Sequence, residues 1–169
     1  MQHLLSTWSS FYIMTGSAAA SLTGLMFVVI TLVTTRERSN RDGVATFSTP
    51  TVMHFAGALL VSAVLVAPWH SLFFAALSTG LVGLWGVGYL VRVTYLTKRL
   101  TIYQPDTEDW IWYTVLPFVA YGTIFLGSVT LEWLPAKSLF ALAGGVLLLI
   151  LIGIRNAWDV VTFLVIADR

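Results

Sequence analysis

The chain has 169 residues, 57% of them hydrophobic and only 10% charged, with a formal net charge of +1. A soluble domain of this size carries about 25% charged residues and leaves about 30% of its unfolded surface in water, so this composition excludes an ordinary water-soluble globule and points to lipid as the solvent. The near-neutral charge argues against a nucleic-acid partner, and the lack of cysteine excludes disulfides and thiolate chemistry.

Taken in chain order, five apolar stretches approach the roughly 20 residues that a helix needs to cross a bilayer core. The first covers residues 11–34. No Lys or Arg precedes it and it is too long for the apolar part of a secretory signal, so it reads as a helix that stays in the membrane. The second covers residues 51–67. Ser48 or Thr49 can cap it, and Pro50 suits its first turn, where a missing N–H is harmless. Pro68 ends it, and "APWHS" leaves a short turn into the third stretch, residues 71–91, which predicts an antiparallel hairpin. The fourth covers residues 111–131. Asp106 or Thr107 can cap it, and Glu108 and Asp109 suit the positive end of its dipole. The fifth opens after Pro135 and covers residues 136–155. The predicted fold class is all-α: a single polytopic transmembrane domain of about five helices, the last one long.

Helix one carries "GSAAASLTGLMFVVITLV" followed by a basic loop. This segment, within the first third of the chain, resembles the first helix of small bacterial polytopic inner-membrane proteins of uncharacterised function. The resemblance implies a bacterial inner-membrane setting and carries no activity.

Direction follows from the loop cations. With five crossings Arg36, Arg38, Arg41, Arg92, Lys98, Arg99 and Arg169 share one side, and Lys137 lies on the other. This predicts an outer N-terminus and a cytoplasmic C-terminus. Trp8, Trp69 and Trp133 then mark the outer interface, and Trp110 and Trp112 the inner one.

Polar residues at membrane depth are the natural site candidates, because lipid penalises them. Counting about 20 residues from Ala136 places Arg155 at the inner boundary, where its stem stays in lipid and its head reaches water. Asp159, four residues on, shares its helix face and can pair with it. Residues 156–166 remain strongly apolar apart from the stripe Asn156, Asp159 and Thr162. Such an extension either projects as a helix covered by equivalent helices of other subunits, or of a protein partner at 156–169, or bends along the inner surface. Arg155, Asp159, Asn156 and His54, which lies near the inner end of helix two, form a possible pore or gate.

Small residues at four-residue spacing predict close helix contacts. They are Gly16, Ala20 and Gly24 on helix one; Ala75, Thr79 and Gly83, with a second stripe of Ala76, Gly80 and Gly88, on helix three; and Ala141 and Gly145 on helix five. Two stripes on helix three place it at the centre of the bundle.

There is no HExxH, GxSxG or phosphate-binding loop, and no pair of carboxylates at membrane depth, so an enzyme is not expected. No cofactor is expected either. His54 and His70 lie about 24 Å apart along a helix, too far to share a metal. His3, His70 and Glu132 fall on the outer side as scattered interfacial groups. The functional expectation is a small homo-oligomeric channel or transport-related protein, its Arg155 residues ringed to favour anions. The alternative is a non-catalytic scaffold or accessory subunit that docks a partner through its C-terminal helix.

Overall fold

The computed structural model describes residues 2–36, 41–99 and 107–167. Expectations placed on Arg38, Asp106 and Arg169 lie outside the described residues. The elements are α1 (Gln2–Arg36), α2 (Arg41–Val66), α3 (Leu72–Arg99), α4 (Thr107–Trp110), a π-helical turn (Ile111–Val115), α5 (Leu116–Val129) and α6 (Pro135–Ala167). Among the described residues all regular structure is helical, as lipid demands of a chain that must satisfy its backbone groups internally.

Five stretches are long and apolar enough to cross a membrane: Leu4–Thr31, Thr49–Val66, Leu72–Tyr95, Ile111–Val129 and Pro135–Asp159. Their number agrees with expectation, but the helices outrun the apolar windows. α1 begins at Gln2 and α3 runs to Arg99. α2 begins at Arg41, so Pro50 sits inside the helix and Ser48 and Thr49 are not caps. A membrane helix tolerates such a proline when neighbouring groups take up the freed carbonyl.

Two connections follow turn chemistry closely. After α2, the Ser71 hydroxyl accepts the Phe73 N–H at 3.2 Å and caps α3. Between α5 and α6, the Leu134 N–H reaches the Thr130 carbonyl at 2.9 Å, and Pro135 takes the first position of α6.

The π-helical turn has a local cause. Pro117 lacks an N–H, and in a regular helix its ring would press on the carbonyl of Tyr113. Widening the preceding turn relieves this: the Leu116 N–H donates to Ile111 O, five residues back. Pro117 then lies buried in the first turn of α5.

α2 and α6 form the middle of the bundle. α1 packs on α2 and α6, while α3 packs chiefly on α5. Half of the α6 span is buried against 28% of the α3 span, which corrects the expectation of a central α3. The reason is that α3 buries one face only: Leu72, Ala75, Thr79, Gly83, Gly86 and Leu90. Its second small stripe does not pack. Ala76 and Gly80 are half-buried, and Gly88 is exposed with open space around its Cα.

The other stripes divide in the same way. Gly16 meets α2, where an added Cβ would lie 3.0 Å from Ser62 Cβ, whereas Ala20 and Gly24 face outward and Ala19 takes the buried position. A four-residue stripe drifts around a 3.6-residue helix, so its members need not share one partner. Ala141 and Gly145 do pack, against Gly127 and Ile124 of α5. α6 is a single helix of 33 residues, about 50 Å long at 1.5 Å per residue, so it neither stops nor breaks at Arg155.

Candidate functional site: the polar end of the bundle

The two ends of the bundle differ in chemistry. One end gathers the start of α1, the α2–α3 turn and the α5–α6 turn. Here Tyr12 Oη donates to the Leu139 carbonyl at 3.1 Å, Thr15 and Ser62 share a hydrogen bond at 3.2 Å, and Thr130 and Ser138 share one at 2.8 Å. Trp8 meets Phe140 edge-on, with ring centroids 4.6 Å apart. Trp69 hydrogen-bonds the Val64 carbonyl and Trp133 projects outward with 74% exposure. His70 and Glu132 are exposed at this end, and the side chain of His3 lies outside the described residues.

The other end gathers the start of α2, α4, the π-helical turn and the far half of α6. Its organising side chain is Tyr121 of α5, which is completely buried. Its ring lies between two glycines: a Cβ at Gly86 of α3 would overlap the ring, and one at Gly57 of α2 would stand 2.9 Å from Oη. The ring therefore fills space that only glycine leaves free on both neighbours. Tyr121 Oη reaches the Met53 carbonyl at 3.1 Å and lies 3.4 Å from His54 Nδ1.

His54 and Asn156, two of the four residues expected at a pore or gate, are both 0% exposed. Among the described residues, His54 Nε2 and both amide atoms of Asn156 have no hydrogen-bond partner. No hydrogen bond joins the two residues to one another. The local fold explains their placement. Phe55, beside His54, lies against Gly153 of α6, where a Cβ would collide with its ring. Asn156 sits one turn beyond Gly153 on the same side of α6.

Arg155 and Asp159, the other two, form the expected intrahelical ion pair. Arg155 also donates from Nη2 to Glu108 Oε1 at 2.7 Å, and its guanidinium lies 5.8 Å from the Trp112 ring centroid. Glu108 was expected only to suit a helix dipole. Its partner is 47 residues away, a non-local contact without a local signal. One arginine shared by two carboxylates is not a free cation in this chain.

Tyr121 stands out in the structure more than in the sequence, where it is one of several hydroxyl residues of a membrane helix. Ser128 and Thr130 behave as such residues do: Ser128 bonds the Ile124 carbonyl at 2.8 Å and reaches across to Thr79 at 2.7 Å, and Thr130 bonds the Leu126 carbonyl at 2.9 Å.

Among the described residues no group of three His, Asp or Glu side chains is placed to hold a metal. The fold and this polar end define a class: the chain is a helical integral-membrane protein with five apolar helices. Comparison with protein-family models, curated proteins and solved structures returns no match for it.

Proposed function

We propose that the protein is a small homo-oligomeric channel or transport-related membrane protein, and that its permeant meets His54 and Asn156. One observation carries this reading: two fully buried side chains within apolar helices hold hydrogen-bonding atoms without partners among the described residues. A buried donor or acceptor left unpaired costs about 1–3 kcal/mol, and lipid offers it no relief. Groups of this kind at membrane depth mark paths for water, ions or protons. The reading places the protein in a bacterial inner membrane with the N-terminus outside. Self-association is supported by the outward strip of Ser17, Ala20 and Gly24 on α1, along which a second copy can approach closely.

The test is permeability. Purified protein in vesicles is assayed for water, methylammonium, potassium and chloride flux against empty vesicles, with the oligomer size measured in the same detergent. The expectation is raised permeability to at least one species from an oligomeric protein. Permeability equal to that of empty vesicles across the whole panel, with the helical content intact, sinks the reading. Orientation is tested separately. The chain has no cysteine, so Lys137→Cys and Arg38→Cys each provide a unique thiol. An impermeant reagent on whole cells is expected to label the first and spare the second.

A second reading draws on a different feature. Ile154 and Trp158 of α6 are exposed, Trp158 by 65%, and the helix continues to Ala167. This supports a scaffold or accessory subunit that docks a partner through its last turns. Truncation after Asp159 separates the two. Loss of a co-purifying partner with flux unchanged favours the scaffold, and altered flux without a partner favours transport.

A further inference from the structure

The chemical class of the permeant can be read from one proton, on the premise that the transport reading above is right. A phenol has a single hydrogen to donate, and a carbonyl only accepts. Tyr121 Oη faces the Met53 carbonyl at 3.1 Å and His54 Nδ1 at 3.4 Å. The nearer contact exists as a hydrogen bond only if the phenol proton points at Met53. Tyr121 then offers His54 nothing but oxygen lone pairs, so Nδ1 must carry the imidazole hydrogen. A neutral imidazole has one N–H, and Nε2 is left bare. The opposite arrangement, with Tyr121 donating to Nδ1, gives up the shorter contact and leaves an Nε2–H with no acceptor among the described residues.

We infer that His54 is held as the Nδ1–H tautomer and that its Nε2 lone pair is a binding point for a small hydrogen-bond donor, of the size class of water or ammonium, and not for an anion. A lone pair repels anions and accepts N–H or O–H. Asn156, one turn beyond the Gly153 on which Phe55 packs, carries a further buried carbonyl acceptor and amide donor, both unpartnered among the described residues. Arg155, the nearest cation on α6, is paired with Glu108 and with Asp159 and so is not left free to draw an anion to this site. Nε2 has no exposed surface, so a donor reaches it only when the side chains around it part.

The experiment is nitrogen NMR on full-length protein labelled with 15N-histidine in lipid bilayers. The His54 signals are assigned by their loss in His54→Gln. The expected result is a protonated Nδ1, an unprotonated Nε2, and transfer of water proton magnetisation to that Nε2. In Tyr121→Phe the Nδ1–H preference should fall at least several-fold, because the oxygen that selects it is gone. An Nε2–H tautomer in the unsubstituted protein, or a bare Nε2 that gains no magnetisation from water at any mixing time, overturns the inference. Flux provides the second arm: methylammonium or water is expected to pass at least tenfold faster than chloride, and chloride preference overturns it. The premise fails separately. A bare, wetted Nε2 in a protein that passes nothing contradicts the transport reading and supports the His54 assignment. A protein that passes solutes with His54 in the Nε2–H form does the reverse.

Discussion

The end of the bundle that holds Tyr12, Thr15, Ser62, Thr130 and Ser138 is saturated: each of these hydroxyls has a partner within 3.3 Å. The opposite end is built from the same kinds of helix, yet it buries His54 and Asn156 with three polar atoms unpaired among the described residues. The contrast separates two uses of polar residues in lipid. Paired hydroxyls join helices, whereas unpaired amides and imidazoles lower stability and persist where something else completes them.

The largest expected effect probes packing at the working end. Gly86→Ala pushes a methyl group into the Tyr121 ring, which is fixed on its other side by Gly57. Overpacking of this kind costs about 1–3 kcal/mol, and the upper part of that range is expected because ring and backbone both resist. Gly16→Ala at the saturated end meets only the Ser62 side chain, at 3.0 Å, and should lose less. Thermal unfolding in one detergent ranks the two, and equal losses would erase the packing side of the comparison.

Next in size is the loss of a completed hydrogen bond. Ser62→Ala leaves Thr15 without its cross-helix partner and should cost about 1 kcal/mol. Thr15 keeps its bond to the Phe11 carbonyl at 3.0 Å, which prevents a larger penalty. A stabilised Ser62→Ala protein would mean that the saturated end is not what holds α1 to α2.

Smaller still is the ion pair. Glu108 is more than half exposed, so Glu108→Gln should change stability by about 0–1 kcal/mol, less at high salt. A loss well above that range would make the Arg155 cluster a structural clamp. At the bottom of the scale, Gly88→Ala has open space around it and should fall within about 0.5 kcal/mol of the unsubstituted protein. A clear drop in oligomer size for this variant would reveal a subunit contact on α3.

Much of the architecture was legible in the sequence. Hydropathy located all five spans, since lipid imposes one requirement, an apolar run of fixed length, on each. Helix ends were less legible. Outside the apolar windows nothing forces a helix to stop, and α1, α2 and α3 all continue, past Pro50 in the case of α2. Spacing alone could not say which small residue meets which partner. Gly86 packs because a tyrosine from α5 arrives there, and no pattern within α3 announces it. At the polar end, Arg155 and Asp159 were legible as a pair because four-residue spacing is local. The Glu108 contact and the burial of His54 against Tyr121 depend on where distant helices meet.

The most direct measurement is Asn156→Leu, followed for stability and for flux on the same preparation. Leucine has the same branched skeleton, with bulkier methyl groups and no polar atoms, so it removes two unpaired groups from the interior. The account predicts a protein that unfolds at a higher temperature, by about 1–3 kcal/mol of added stability, and that loses most of its permeability. A destabilised variant with unchanged permeability would show that Asn156 is an ordinary structural residue, and that the contrast between the two ends has no functional meaning.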